Sequence, residues 1–253
     1  MDTNIQAEFR PAIRRALKLC TDRFGEDLKA IYLSGSVAFG ESLAGASDVD
    51  WFMFQKLEPD EGDSSWRKAN ESVLSEICPV AANGFHLNLF SLDRLRKETI
   101  WRFILRHNSI RLHGTDIISE LEEEGIHTPA PSREWAQSRI GWLEKITSAT
   151  LDGRFSEVVF PLPQNPCLAT RKLARWFVIL EGAHLLMAEY AFLSFRQKDV
   201  LQRLESLYSQ WACLFAITER ILADPFTAGI SPDTFIDRVV PFMRWAIQRI
   251  KNA

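Results

Sequence analysis

Residues 30–54 read AIYLSGSVAFGESLAGASDVDWFMF and contain the pattern that most strongly indicates the fold. An apolar run ends at Gly35-Ser36, where a glycine lets the backbone turn after a strand. A loop of small residues follows, and the tripeptide DVD at 48–50 opens a second apolar run. Both runs are short and rich in β-branched and aromatic residues, which favours buried strands. The sequence therefore predicts two strands joined by a short helix and a loop, with two aspartates where the second strand begins.

The spacing of the aspartates predicts that they act together. Side chains two residues apart in a strand point to the same face, so Asp48 and Asp50 would stand side by side. Neighbouring carboxylates repel one another unless a cation lies between them, and Mg²⁺ is commonly held by one or two carboxylates with substrate phosphates. A helix N-terminus after Gly35-Ser36 would present N–H groups and a hydroxyl to such phosphates. Taken alone, the aspartates are also compatible with a turn cap and a solvated strand end.

Composition excludes several classes of protein. The chain has 253 residues, of which 46% are hydrophobic and 25% charged, as in ordinary globular proteins. A net charge of −3 without a basic stripe argues against a nucleic-acid partner. No apolar run approaches the roughly 18 to 20 residues that span a bilayer, and the first residues lack the features of a signal peptide. We therefore expect a cytoplasmic protein without a membrane segment.

The cysteines do not indicate a metal site. They are far apart and form no C-x-x-C pair, so neither zinc nor a disulfide is implied. We expect reduced, buried thiols at all four positions, which are Cys20, Cys78, Cys167 and Cys213.

Periodicity divides the chain into two parts. The first part alternates between helical and strand patterns, and a break rich in acids and prolines follows at 122–134. The fold class predicted is an α/β (α+β) domain with a small mixed sheet in residues 1–127, followed by an all-α helical domain in residues 128–253. Strands are predicted at 28–36, 49–57, 84–91 and 109–117, and helices at 8–24, 63–78, 92–108, 133–151, 166–193, 197–223 and 232–251.

Two local patterns predict where one helix begins and how the helices of the second part pack. Asp63 and the two serines after it are typical of a helix N-cap. The tryptophans of the second part fall at helical spacing and are predicted to pack helices together. They are Trp135, Trp142, Trp176, Trp211 and Trp245.

The order strand, Gly-Ser turn, short helix, loop and D-x-D on a neighbouring strand resembles the DNA polymerase beta-like nucleotidyltransferase superfamily. The resemblance is carried by LSGSVAFGESLAGASDVDWFMF at 33–54, in which Gly40 and Ser47 also match common family positions. SIRLHGTDI at 109–117 resembles the strand that often closes this domain, and a helical second part is typical of the small-molecule, aminoglycoside adenylyltransferase-like branch.

The resemblance implies a role for each residue of the motif. Gly35 and Ser36 would hold the β- and γ-phosphates of a nucleoside triphosphate, with ATP as the expected donor. Asp48 and Asp50 would be catalytic and would bind Mg²⁺ or Mn²⁺. An acceptor hydroxyl on a small molecule or a protein would attack the α-phosphorus, and pyrophosphate would leave.

The chain departs from the family pattern at the third carboxylate. Family enzymes usually carry an acid on a later strand, here FHLNLFS, where His86 occupies the expected position and Asn88 follows on the same face. Asp93 lies beyond that strand and is expected to cap a helix. Three accounts remain open: His86 is the general base, a carboxylate of the helical part serves instead, or the site binds nucleotide without efficient transfer. The helical candidates are Glu144, Glu181 and Glu189.

Basic residues of the second part are candidates for holding the triphosphate. Arg171 and Arg175 are four residues apart and are expected on one helix face, where they could equally be solvated charges. Lys172, Arg196 and Lys198 are weaker candidates. Two functions therefore remain in view: a Mg²⁺-dependent nucleotidyltransferase, and a catalytically weak protein of the same fold that binds nucleotide or an antitoxin-like partner.

Overall fold

In a computed structural model, residues 5–81, 84–158 and 162–253 are described. The chain forms two compact units, Met1–Pro129 and Ala130–Ala253. The sequence predicted a boundary between residues 127 and 128.

The first unit contains a sheet and helices in the order that the sequence predicted. Its strands are β1 (Leu28–Ser34), β2 (Val49–Gln55), β3 (Phe85–Ser91) and β4 (Ser109–Gly114). Its helices are α1 (Arg10–Phe24), α2 (Gly35–Phe39), α3 (Glu61–Ile77), α4 (Leu92–Lys97), α5 (Thr99–Asn108) and α6 (Ile117–Glu123).

The four strands form a mixed sheet, which confirms the predicted fold class. Their order is β3-β2-β1-β4; β2 and β3 are parallel, whereas β1 is antiparallel to both of its neighbours. The register places Asp50 of β2 between Ser34 of β1 and His86 of β3. Three strands therefore contribute side chains at the level of Asp50.

Each face of the sheet buries a separate hydrophobic cluster. Ile31, Trp51 and Met53 point to one face and pack with residues of α1 and α3. Tyr32 and Phe52 point to the other face, under α4, α5 and α6. Burying one such large side chain contributes about 1.5–3 kcal/mol, so the alternation along β1 and β2 fixes the register firmly.

Several helix boundaries differ from the sequence-based predictions. The predicted helix at 92–108 is interrupted at Glu98, which adopts an extended conformation between α4 and α5. Helix α3 begins at Glu61, because the Asp60 carboxylate accepts the Asp63 N–H in a capping box; the predicted cap at Asp63 was wrong by three residues.

The predicted cap at Asp93 was also wrong. The Ser91 hydroxyl accepts the Arg94 N–H and caps α4, while Asp93 lies in the first turn and pairs with Lys97 at 3.0 Å. Instead of capping a helix, an acid in the first turn can form a salt bridge with a basic residue four positions later.

Strand β4 is shorter than predicted because Gly114 ends it. Its φ is +79°, and a Cβ there would lie 2.0 Å from the Lys29 carbonyl oxygen, so a side chain does not fit. Asp116 then accepts the Ser119 N–H and caps α6, a helix that the sequence analysis did not predict.

The second unit is helical, as predicted. The predicted helices at 133–151 and 197–223 are each interrupted, the first at Arg139 and the second between Tyr208 and Trp211. Its helices are α7 (Arg133–Ser138), α8 (Ile140–Leu151), α9 (Phe155–Val158), α10 (Pro166–Ala174), α11 (Glu181–Tyr190), α12 (Gln197–Leu207), α13 (Ala212–Ala223) and α14 (Pro232–Asn252), and a π-helical segment (Arg175–Leu180) joins α10 to α11.

The tryptophans of this unit pack against other aromatic rings, which confirms the prediction. Trp142 and Trp176 have ring centroids 5.5 Å apart, and Trp211 and Trp245 are 5.7 Å apart. Trp135 is buried.

The thiols only partly follow the prediction. All four are free, and burial raises the pKa of Cys20 to about 12. Cys78 is also buried, but Cys167 is half-buried and Cys213 is exposed on α13, so the expectation of burial was wrong for these two. Within the described residues, no helix combines the length and the apolar character needed to cross a membrane.

Candidate nucleotide-binding site

The Gly-Ser turn lies directly against one of the two aspartates. Gly35 follows β1 with φ +71°, and a Cβ there would lie 3.3 Å from Oδ2 of Asp50. A positive φ favours glycine, and the absent side chain leaves room for the carboxylate. The turn therefore lies against the second aspartate of the D-x-D motif.

The two aspartates alternate with a buried residue. Asp48 and Asp50 are half-buried, whereas Val49 between them is completely buried. Beside Asp50, the Ser34 hydroxyl donates to the Asn108 carbonyl at 2.7 Å, which ties the end of β1 to the end of α5. The aspartates thus lie at the start of β2, an inner strand of the sheet, where they are partly exposed to solvent.

The Ser36 hydroxyl bonds within the protein. It exposes 6% of its surface and donates to the Ser47 hydroxyl at 3.4 Å; Ser47 is completely buried and accepts the Leu43 N–H at 2.9 Å. We call this Ser36–Ser47–Leu43 set the loop clasp. It ties the Gly-Ser turn to the loop that ends at Asp48. In the sequence, Ser47 is only a match to a family position, because no sequence pattern shows which group the hydroxyl of a buried serine contacts.

His86 stands beside Asp50. The two are paired in the parallel register of β2 and β3, so their side chains share a face, and His86 is exposed. Asn88 is half-buried, and its amide donates to the His86 carbonyl at 3.5 Å. An imidazole and a carboxamide occupy the strand on which the family pattern has its third acid.

The donor set suits a cation that substrate phosphates help to bind. Among residues 5–81, 84–158 and 162–253, no group of three or more His, Cys, Asp or Glu side chains could hold a metal by itself. Mg²⁺ usually takes one or two carboxylates and completes its shell with water and phosphate oxygens. The close approach of the Asp50 carboxylate to the Gly35 turn is compatible with such a shared site.

The predicted arginines of the second unit differ in exposure. Arg171 exposes 2% of its surface, and its Nε donates to the Leu222 carbonyl at 3.5 Å, whereas Arg175 is half-buried at the start of the π-helical segment. Burial favours a packing role for Arg171, so Arg175 is the better placed of the two to meet a ligand. Lys172 is half-buried, and Arg196 and Lys198 are exposed.

Two of the three candidate acids in the second unit form ion pairs. Glu144 pairs with Lys251 at the surface. Burial alone would raise the pKa of Glu189, but hydrogen bonds from Arg249 and Tyr208 lower it below its usual value.

Glu181 is in a different environment. It exposes 1% of its surface, and burial raises its pKa well above the usual value. Its Oε1 has no hydrogen-bond partner within the described part of the chain. A carboxyl so enclosed is poorly placed to meet a substrate hydroxyl.

Comparison with known proteins identifies the fold. No protein-family model and no curated protein sequence matches this chain. A solved structure of spectinomycin adenyltransferase AAD(9) from Enterococcus faecialis, with ATP and spectinomycin, matches with a TM-score of 0.57 and 11% identity over 96% of this chain and 99% of that chain. The chain therefore has the fold of the aminoglycoside adenylyltransferase-like nucleotidyltransferases, a mixed-sheet domain followed by a helical domain.

Proposed function

We propose that this chain is a metal-dependent nucleotidyltransferase that moves a nucleoside monophosphate from ATP to a hydroxyl group of a small molecule or a protein. One observation supports this most strongly: the Asp50 carboxylate lies against the backbone of the Gly35 turn. Asp48 is two residues before Asp50, and His86 is opposite Asp50 in the strand register. Two neighbouring carboxylates at a glycine turn repel one another, so the arrangement is unfavourable unless a cation binds between them.

Asp48 and Asp50 are the residues that would hold Mg²⁺ or Mn²⁺. Bound there with the triphosphate, the ion would supply charge neutralisation for the phosphate oxygens and the leaving pyrophosphate. Gly35 allows the Asp50 carboxylate to approach the turn closely, and the loop clasp ties this turn to the loop that ends at Asp48.

His86 is our candidate for the general base. In the proposed reaction the acceptor oxygen forms a bond to the α-phosphorus, the bond from that phosphorus to pyrophosphate breaks, and the hydroxyl proton passes to an imidazole nitrogen of His86. The imidazole shares the face of Asp50 and is exposed, so a substrate can reach it. Positioned bases of this kind accelerate reactions by about 10²- to 10⁴-fold.

The choice of donor and acceptor class rests on the structural neighbour. That protein is an adenyltransferase with ATP and spectinomycin in its structure. At 11% identity the likeness shows the fold alone, so ATP and a hydroxyl-bearing small molecule are proposals for this chain.

A second candidate function is a nucleotide-binding or antitoxin-like partner-binding protein with little transfer activity. The observation that favours it is the pairing of Asp50 with His86 where the family pattern has an acid. An imidazole is a poorer ligand for Mg²⁺ than a carboxylate.

Calorimetric titration tests the proposal. ATP, GTP, CTP and UTP are each titrated into the full chain with and without Mg²⁺, and pyrophosphate release is then followed with a panel of hydroxyl acceptors. We expect ATP to bind only with Mg²⁺, and Asp48→Asn and Asp50→Asn each to weaken this binding at least about tenfold, because a carboxylate–metal contact is lost. Asp93→Asn, which changes an exposed aspartate paired with Lys97, is the matched control and should bind like the wild type.

The outcomes separate the two functions. Mg²⁺-dependent binding followed by pyrophosphate release supports the transferase. Binding without release from any acceptor supports the second function. If Asp50→Asn binds ATP as tightly as Asp93→Asn does, the proposed site is wrong.

A further inference from the structure

The face of the sheet that carries Asp50 continues into a second row of side chains. In the register of β2 and β3, Asp50 is opposite His86, and Phe52 is opposite Asn88. Side chains two residues apart share a face and lie about 7 Å apart along a strand. Phe52 is buried, so anything whose hydroxyl reaches Asp50 and His86 extends past the half-buried Asn88 or away from the sheet.

A tryptophan borders this second row. The ring centroid of Trp101 lies 5.5 Å from that of Phe52 and 4.9 Å from that of Phe90. Trp101 is half-buried at the rim of the hydrophobic cluster on this face. Part of Trp101 therefore remains exposed at this rim, where the Arg94 guanidinium also lies over its ring, 5.7 Å from the centroid.

The indole of Trp101 is held in place by its neighbours. Its Nε1 donates to Glu98 at 2.6 Å, and Glu98 also accepts Arg94 Nε at 2.9 Å. The Arg94 guanidinium lies over the Phe90 ring, 4.4 Å from its centroid. A ring fixed in this way can stack on a ligand with little further loss of conformational entropy.

The polar groups of this face do not suit a polycationic ligand. His86 and Asn88 carry no carboxylate, and the nearby acid, Glu98, already pairs with Arg94 and Trp101. A cationic amino sugar or aminocyclitol would gain little binding energy there apart from contacts with Asp48 and Asp50, which are proposed to bind the metal. An uncharged ligand could stack on the indole and exchange hydrogen bonds with the Asn88 amide.

We propose that Trp101 and Asn88 form an acceptor subsite for an uncharged hydroxyl compound with a flat apolar or aromatic ring. The assignment of this ligand as the acceptor rests on the proposed function and names the chemical class that the same site would use. The ring would stack on Trp101, a polar substituent would meet Asn88, and the hydroxyl would lie near Asp50 and His86.

Binding of three probes tests the subsite without nucleotide or metal. The full chain, labelled with ¹⁵N at its tryptophan indoles, is titrated with phenyl β-D-glucopyranoside, methyl β-D-glucopyranoside and 2-deoxystreptamine. The first two differ only in the aromatic ring, and the third is a cationic polyol. We expect the phenyl glucoside to bind about 3- to 10-fold more tightly than the methyl glucoside and to shift the Trp101 indole signal, in keeping with the usual strength of aromatic stacking.

Variants assign the effect to the two residues. Trp101→Leu keeps an apolar side chain and should abolish the preference for the phenyl glucoside, while Trp101→Phe should retain part of it. Asn88→Ala should weaken both glucosides by a similar factor. Trp245→Phe, a tryptophan change in the helical unit, is the control and should leave all three affinities unchanged.

Three results would overturn the proposal: tighter binding of 2-deoxystreptamine than of the phenyl glucoside, a phenyl preference that survives Trp101→Leu, or a Trp101 signal that none of the probes moves. Failure of the ATP titration with success of the probe titration would remove the transferase and leave a ligand site at Trp101. The reverse combination would leave the transferase and remove this subsite.

Discussion

At the scale of single residues, Gly35 offers the sharpest test of the site's geometry. Gly35→Ala places a methyl group 3.3 Å from Oδ2 of Asp50 and also forces an L-residue to φ +71°. We expect a stability loss of about 1–2 kcal/mol from the backbone and, separately, a loss of about tenfold or more in Mg²⁺-dependent ATP affinity. Thermal melting and calorimetric titration measure the two effects.

Gly45→Ala is the matched control for this prediction. Gly45 has φ +77°, but nothing lies within 4 Å of its Cβ position. The control should therefore show the backbone penalty with unchanged ATP affinity. Equal ATP affinities in the two variants would mean that the Asp50 carboxylate does not need the space at Gly35.

Mutation of His86 distinguishes the two proposed functions. If its imidazole accepts the hydroxyl proton, His86→Ala should lower pyrophosphate release by about 10²- to 10⁴-fold with little change in ATP affinity. His86→Asp, which restores the acid of the family pattern, should retain or raise activity.

The control for His86 is His113, an exposed histidine on β4. His113→Ala should have wild-type activity. If His86→Ala is as active as His113→Ala, the base lies elsewhere, and Glu144 and Glu189 are then the acids to mutate.

Residue-level prediction succeeded where the pattern is local and failed where the contact is between distant residues. The alternation of Asp48, Val49 and Asp50 could be predicted because strand side chains repeat every two residues. The hydrogen bond between Ser36 and Ser47 could not be predicted, because the two residues are eleven positions apart and meet only when the segment between them folds back.

At the scale of secondary structure, the buried carboxyl of α11 gives a pH-dependent prediction. The pKa of Glu181 is raised by burial, so the folded protein holds this proton more tightly than the unfolded chain does. Its stabilising effect is fully present below the ordinary pKa and is lost as the pH rises through the raised one. Glu181→Gln should therefore be more stable than the wild type at pH 8, by roughly 1–3 kcal/mol, and the difference should shrink towards pH 4.

Urea unfolding between pH 4 and pH 8 measures this difference. His184, one turn away, has a pKa lowered to about 4 by burial, so it destabilises the folded state as the pH falls from about 6.5; comparison of the variant with the wild type cancels this common effect. Glu144→Gln, at an exposed position, is the control and should change stability by no more than about 0.5 kcal/mol. A destabilised Glu181→Gln at pH 8 would show that the carboxyl has a partner that the amide cannot replace.

Helix boundaries show what periodicity cannot predict. Residues 92–108 keep a helical pattern throughout, yet Glu98 breaks the helix and uses its carboxylate to hold Arg94 and Trp101. Arg139 separates α7 from α8 within the next predicted helix and keeps a right-handed helical conformation, with φ −92° and ψ −7°. Helix propensities differ by only a few tenths of a kcal/mol per residue for most residue types, so side-chain contacts such as those of Glu98 can outweigh them.

At the scale of the whole molecule, the order of elements was predictable because the two halves differ in hydrophobic period. Strand patterns end near Gly114, and helical spacing continues almost to Asn252. The fold followed from the D-x-D motif at 48–50, and the structural match over 96% of the chain confirms it at 11% identity. The acceptor was not predictable, because the motif specifies phosphate chemistry and leaves the second substrate to other surfaces.

The central claim is that Asp48 and Asp50, beside Gly35, bind a divalent cation together with a nucleoside triphosphate. The most direct measurement is a crystal structure of the full chain with Mn²⁺ and the non-hydrolysable analogue AMPCPP, with Mn²⁺ located by its anomalous scattering. We predict an anomalous peak about 2.0–2.3 Å from oxygens of both carboxylates, with phosphates of the analogue at the Gly35 turn. An analogue bound away from these residues, or a crystal saturated with both ligands that shows no Mn²⁺ at Asp48 and Asp50, would contradict the account.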